Sequence, residues 1–219
     1  MTAVTEAQSL VSIIAGRPEL ICNAVKSAAE LNMLLDAADA VAIGPGLGQS
    51  RSARDLFETV TACAKPLVLD ADALTLLAER PWHREDWILT PHPGEAARLL
   101  GTDAAAIQRD RLGSARAIAA RFGGICVLKG AGTLVATEKS LPWVCDYGNP
   151  GMATAGAGDV LTGIIAALVA GGCGLERAAT AGVLLHALAG DRAAVAGERG
   201  LIASDLIAQL RDVVNPPWN

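Results

Sequence analysis

Pro66-Leu67-Val68-Leu69-Asp70-Ala71-Asp72 is the stretch whose reading decides the fold. Its apolar residues run on without alternation and stop abruptly at a carboxylate. A short continuous apolar run is the mark of a strand buried on both faces, as in parallel sheets covered by helices. Working outward, the pattern recurs: Ala40-Val41-Ala42-Ile43 stops at Gly44, Trp87-Ile88-Leu89 at Thr90, and Ile125-Cys126-Val127-Leu128 at Lys129. Helical patterns fill the intervals, over residues 51–64, 73–80 and 94–122, the last broken near Gly101-Thr102. Strands alternating with helices predict an α/β protein with an open, mostly parallel sheet and helices on both faces. Thr133-Leu134-Val135-Ala136 and Trp143-Val144-Cys145 read as a strand pair at the far edge, and residues 160–214 as mainly helical and Ala-rich. One domain over residues 1–219 is expected.

Composition narrows the partners. The 219 residues are 52% hydrophobic and carry a net charge of -5, with no basic cluster longer than a pair, which argues against a nucleic-acid surface. Aromatic residues make up 3%, too few for base-stacking platforms. Cys22, Cys63, Cys126, Cys145 and Cys173 are odd in number, with no Cys-x-x-Cys pair, so neither a disulfide framework nor a zinc site is suggested. The start has no basic n-region and no sustained apolar run, and the apolar stretch over 160–175 is interrupted by glycines, so neither a secretory signal nor a membrane span is expected. A cytoplasmic location follows as an expectation.

Open parallel sheets bind ligands beyond the carboxyl ends of their strands. Every distinctive loop falls there: Gly44-Pro45-Gly46-Leu47-Gly48, Asp70-Ala71-Asp72, Thr90-Pro91-His92-Pro93-Gly94-Glu95 and Lys129-Gly130-Ala131-Gly132-Thr133. The first lacks the dinucleotide spacing Gly-x-Gly-x-x-Gly and reads equally as a plain turn. Asp70 and Asp72 could face ligand hydroxyls or a cation, with Asp72 also a cap for a helix from Ala73. His92, between prolines, has little apolar surface to bury it and is expected to be functional. Glu95 either holds a metal through water or simply occupies the first turn of the next helix. Lys129 with Gly130, Ala131, Gly132 and Thr133 offers a cation, backbone amides and a hydroxyl suited to phosphate, without being a Walker A loop. His186, Asp191, Arg192, Glu198 and Arg199 read as structural or solvated.

The segment Asn149-Pro150-Gly151-Met152-Ala153-Thr154-Ala155-Gly156-Ala157-Gly158-Asp159 leads into an apolar helical run expected to begin at Asp159. Glycines there free peptide N–H groups for an anion, and the positive helix end is expected to keep the Asp159 carboxylate ionised as a base. The alternative is an ordinary capping aspartate.

Taken together, Gly44-Pro-Gly-Leu-Gly48, Asp70-Ala-Asp-Ala-Leu74, Thr90-Pro-His-Pro-Gly-Glu95, Lys129-Gly-Ala-Gly-Thr133 and Asn149-x-Gly-Met-Ala-x-x-Gly-x-Gly-Asp159 resemble the ADP-dependent NAD(P)H-hydrate dehydratase family, from Arg17-Pro18 to Asn215-Pro216. The resemblance implies a ribokinase-like fold and removal of water from the S epimer of hydrated NADH or NADPH (NADHX, NADPHX). ADP would be the phosphoryl donor, with ATP an alternative, giving AMP and phosphate. It implies Asp159 as base, Gly156, Ala157 and Gly158 as anion hole, and Gly46, His92 and Asp159 around the hydrated dinucleotide. Lys129, Gly130, Ala131, Gly132, Thr133 and Gly158 would hold the adenine nucleotide, with Mg2+ on its phosphates, near Glu95 through water. Relatives begin with a strand and a Gly- and Ala-rich helix not seen before Met1-Thr2-Ala3-Val4, so the sheet is expected to lack its first βα unit or units. Many bacterial relatives also carry an epimerase domain, which makes an epimerase an expected partner, and a homo-oligomer is expected. Two other readings stay open: a small-molecule kinase of the same superfamily, acting on hydroxyethylthiazole or hydroxymethylpyrimidine alcohols, and an inactive nucleotide-binding fragment.

Overall fold

The computed structural model describes residues 1–5, 7–25 and 27–215; Pro216, where the resemblance ends, lies outside them. Strands β1 (Thr2–Thr5) and β2 (Ile21–Ala24) form a parallel pair of their own, joined through helix α1 (Leu10–Gly16), and α2 (Ala28–Asp36) follows. The sequence before Ala40 carries no legible element, and the reason is physical. No residue of α1 is buried, and Val4, Val11, Ile14 and Ile21 face solvent, so this unit lacks the continuous apolar run that marks a covered strand. Of α2, Leu31 and Leu35 reach the main core.

The main sheet has six strands in chain order: β3 (Val41–Ile43), β4 (Leu67–Leu69), β5 (Trp87–Leu89), β6 (Ile125–Leu128), β7 (Thr133–Ala136) and β8 (Trp143–Cys145). The first four are parallel, and β7 and β8 turn back antiparallel at the edge. Between them run α3 (Arg51–Ala62), α4 (Ala71–Glu79), α5 (Pro93–Leu100), α6 (Ala104–Arg109) and α7 (Arg111–Phe122). The expected break at Gly101 is real, with Gly101 at φ +68 closing α5. A second break at Asp110 was not foreseen; its side chain caps α7 by accepting from Gly113 N. After β8 come α8 (Ala157–Ala170), α9 (Leu175–Ala193) and α10 (Ala203–Val214).

Side chains alternate across a strand, so each apolar run feeds two cores. Leu67, Leu69, Trp87, Leu89, Cys126 and Leu128 pack with residues of α2 to α5 and α7 on one face, whereas Val68, Ile88, Ile125 and Val127 pack with Leu161, Ile165 and Val169 of α8 and Val183 of α9 on the other. Each fully buried Leu or Ile contributes about 1.5–3 kcal/mol. Among the described residues, no helix is long and apolar enough to cross a membrane.

The sheet brings β3 and β4 so close at their carboxyl ends that only glycine fits at one point. Gly44 adopts φ +133, and a Cβ there would lie 1.7 Å from the carbonyl oxygen of Asp70. Gly44→Ala is therefore expected to lower stability by about 3 kcal/mol or more, read from urea unfolding. Gly46, at φ +68 with nothing within 4 Å of an added Cβ, serves as the control. Its alanine variant should lose only the roughly 1–2 kcal/mol of a left-handed alanine. Equal losses at the two positions would show that the close approach contributes nothing.

Candidate active site

Four parallel neighbours ending side by side put their terminal loops on one rim, and a buried carboxylate organises it. Asp70 ends β4, is 1% exposed, and is the N-cap of α4. Its Oδ1 accepts from Ala71 N at 2.9 Å and from Lys129 Nζ at 2.6 Å, and its Oδ2 accepts from Thr162 Oγ1 at 2.7 Å. One carboxylate thus ties β4 to β6 and to α8. Ala71 sits at φ +47, a left-handed conformation that costs a non-glycine residue about 1–2 kcal/mol, directly after the carboxylate it helps aim. The helix from Ala73 capped by Asp72 is corrected: α4 starts at Ala71 under Asp70, and Asp72 Oδ2 instead accepts from Gly48 N at 2.8 Å, fixing the Gly44 to Gly48 loop.

His92 and Glu95 form a reciprocal cap on α5. The ring's Nδ1 accepts from Gly94 N at 3.0 Å and Glu95 N at 3.4 Å, while Glu95 Oε2 accepts from His92 N at 2.8 Å. An accepting Nδ1 leaves the neutral ring's proton on Nε2, which lies 3.5 Å from Glu95 Oε1 on a side chain largely open to solvent. Glu95 is buried and also lies 3.9 Å from Lys129 Nζ, so its carboxylate is committed to the helix start, to the His92 ring and to the Lys129 ammonium. Of the two readings of Glu95, the first-turn one fits this geometry. Among the described residues, no group of three or more His, Cys, Asp or Glu side chains is arranged to hold a metal. This donor set suits only an ion that brings phosphate and water ligands with it.

The N-terminus of α8 is the other half of the site. The helix begins at Ala157, two residues before the expected start, because Gly156 turns into it at φ +83. No side chain caps it, and the Asp159 carboxylate lies in the first turn rather than at the cap, which removes the ordinary capping reading. Ala157 N donates to Thr154 O and Val160 N to Gly156 O, whereas the N–H groups of Gly158 and Asp159 have no acceptor among the described residues. Two free amides at the positive end of a 14-residue helix have the chemistry to receive an anion, whereas the Ala157 N–H expected beside them is taken by Thr154 O. Lys129 completes it: a Cβ on Gly158 would lie 3.2 Å from Lys129 Nζ. Lys129 was expected to serve the adenine-nucleotide loop. Its ammonium turns from that loop toward Asp70 and Gly158, and within the loop the Thr133 hydroxyl donates to Gly130 O at 3.0 Å.

Asp159 differs from expectation in its basicity. Burial raises its pKa, the nearby Asp70 charge raises it further, and Lys129 lowers it less. A raised carboxylate is a stronger base, as proton abstraction near neutral pH requires.

The structure thus unites Asp70, His92, Glu95, Lys129, Gly158 and Asp159, with Gly46 on the same rim through the Gly44–Asp70 contact. Sequence reasoning missed the supporting residues. Thr162 is a polar residue inside the apolar run of α8, one turn after Asp159, and that interruption was its signal. Asp191 accepts from Gly148 N and Asn149 Nδ2, both at 3.0 Å, and so holds the loop before Gly156.

His186 on α9 has its Nε2 2.9 Å from Ala157 O, behind the anion site. Burial lowers its pKa from 6.5 to about 4. The folded state resists a proton that the unfolded chain accepts, so this contribution is full above pH 6.5 and is lost as pH falls toward 4, by up to about 3 kcal/mol. Urea unfolding at pH 7 and pH 4.5 should show that loss in the wild type and a clearly smaller one in His186→Gln; equal losses would assign the acid sensitivity elsewhere.

Comparison with known proteins identifies the family. The family model for NAD(P)H-hydrate dehydratase matches residues 1–211. The chain is 51% identical over 217 residues, 99% of its length, to a bifunctional NAD(P)H-hydrate repair enzyme of Coxiella burnetii, of which it covers 44%. It is 43% identical over 205 residues, 90% of its length, to the ADP-dependent (S)-NAD(P)H-hydrate dehydratase of Neisseria meningitidis, of which it covers 67%. The chain spans less than half the length of the bifunctional bacterial relatives from Coxiella burnetii, Escherichia coli and Vibrio cholerae. Its fold matches the Bacillus subtilis ADP/ATP-dependent NAD(P)H-hydrate dehydratase co-crystallised with ATP/Mg2+ at a TM-score of 0.84 and 29% identity, covering 98% of this chain and 80% of that one. A hydroxyethylthiazole kinase of Pyrococcus horikoshii, at 16% identity and a TM-score of 0.70, shares the fold alone. The fold is ribokinase-like, and the chain belongs to the NAD(P)H-hydrate dehydratase family.

Proposed function

We propose that this chain removes water from the S epimer of hydrated NADH or NADPH, with ADP as phosphoryl donor and AMP and phosphate as products. The observation that carries the reading is the uncapped start of α8, where free Gly158 and Asp159 amides, the Lys129 ammonium and a basicity-raised Asp159 meet. A ring hydroxyl is a poor leaving group, and phosphorylation makes it a good one. Asp159 takes the proton of that hydroxyl as its oxygen attacks the terminal phosphorus of ADP, and the bond from that phosphorus to the AMP oxygen breaks. The amides and ammonium hold the charge on the transferring phosphoryl oxygens. Phosphate then leaves the ring carbon, and loss of a proton from the neighbouring carbon restores the double bond. The His92 Nε2–H, with Gly46, lines the dinucleotide side of the rim, and Gly130, Ala131, Gly132 and Thr133 the adenine-nucleotide side. Magnesium on the phosphates would offset the excess of carboxylates over the single lysine.

A cytoplasmic location, self-association and a functional partnership with an epimerase belong to the same reading, the last supported by the bifunctional relatives. The test is incubation of mixed hydrated NADH epimers with ADP and magnesium, and separately of hydroxyethylthiazole with ATP. Return of NADH absorbance up to the S fraction supports the proposal. Phosphorylation of the thiazole alcohol with the hydrate untouched would contradict it.

A further inference from the structure

Arg111, the first residue of α7, carries a guanidinium with no carboxylate partner among the described residues. It faces backbone carbonyls instead. Nη2 donates to Gly132 O at 3.2 Å and Leu128 O at 3.3 Å, both terminal nitrogens bracket Lys129 O at 3.5 Å, and Nη1 donates to the Gln108 side chain at 3.1 Å. The β6–β7 turn is wrapped closely around this group: Gly130 adopts φ +138, and a Cβ there would lie 3.0 Å from Nη1. Burial lowers the guanidinium's pKa, so holding a charge here has a cost that neutral carbonyls only partly offset.

The consequence lies on the other side of each peptide. The described peptide bonds are trans, so a carbonyl drawn to the guanidinium sends the N–H of the same peptide the opposite way. Lys129 O is paired in this way with Gly130 N–H. Among the described residues, no acceptor faces the N–H groups of Gly130, Ala131 or Gly132. We infer that Arg111 is a positioning residue for the nucleotide: it gathers the Leu128, Lys129 and Gly132 carbonyls on one side, so that the Gly130 N–H faces outward for a phosphate oxygen and the turn carrying the Ala131 and Gly132 N–H groups is held in place. It also polarises the Lys129–Gly130 peptide, since a cation at the carbonyl end strengthens the donor at the other. The inference rests on the adenine-nucleotide reading above.

The experiment uses the full chain, with ADP and magnesium titrated calorimetrically into wild type, Arg111→Met and Arg111→Lys. Removal of the fork should raise the ADP dissociation constant about ten- to hundredfold, the loss expected for a charge-assisted, geometry-dependent contact. Lysine should restore little of it, because one ammonium cannot span three carbonyls. In steady-state turnover the KM for ADP should rise by the same factor while kcat at saturating ADP falls less than about threefold. In the ligand-free protein, the Gly130 amide NMR signal should shift in both variants, a change that a general loss of stability would not confine to this turn. Unchanged ADP affinity in Arg111→Met, or full rescue by lysine, overturns the inference while leaving the dehydratase reading intact. A wild type that binds neither ADP nor ATP overturns that reading and the inference together.

Discussion

Asp159→Asn is expected to lower kcat for hydrated NADH by about a hundredfold or more, the range for removing a general base, with ADP affinity changed less than about twofold. The asparagine keeps the size of the side chain and leaves the helix start intact, because no cap hydrogen bond depends on the carboxylate. What it loses is the proton acceptor. The two free amides and Lys129 still face the phosphates, so nucleotide binding persists. The wild-type pH profile carries a second signature. Activity needs the ionised carboxylate, and burial with Asp70 nearby raises its pKa, so the acid limb of kcat/KM should lie above the ordinary aspartate range and disappear in the variant. Single-turnover loss of hydrated NADH with a separate ADP titration measures both; a variant retaining more than about a tenth of the rate would remove Asp159 from the base role.

The second large effect is on stability. Lys129→Ala leaves the Asp70 carboxylate, 1% exposed, without its cation, and removing one partner of such a pair costs about 3–5 kcal/mol. Asp70→Asn in the same chain should recover more than half of that loss, since an amide needs no counter-charge. A double-mutant cycle in urea reads the coupling. Losses under about 1 kcal/mol would make Lys129 an ordinary solvated lysine at a strand end.

The main sheet was legible because Leu67 to Leu69, Trp87 to Leu89 and Ile125 to Leu128 are buried on both faces, and no half-exposed strand or helix would show such unbroken apolar runs. The β1–α1–β2 unit was not, because its apolar residues are scattered to solvent and leave no period to read. Loop chemistry was legible as a set of residue types at strand ends. The direction of each side chain was not: Lys129 and Asp70 stand 59 residues apart, and only the packing of β6 beside β5 and β4 turns one toward the other. The α8 start was misplaced by two residues because Ala157-Gly158 carries no capping side chain, and that same absence leaves its amides free. Glu95 was legible as a helix-start residue by position, whereas its pairing with the His92 backbone needed the turn geometry.

The most direct measurement of the central claim follows the purified chain with the S epimer of hydrated NADH and ADP labelled in its terminal phosphate, and counts products over a single turnover. One NADH, one AMP and one labelled phosphate per active site is the result predicted. NADH formed without AMP, or AMP formed at the same rate when the hydrate is omitted, would contradict the account.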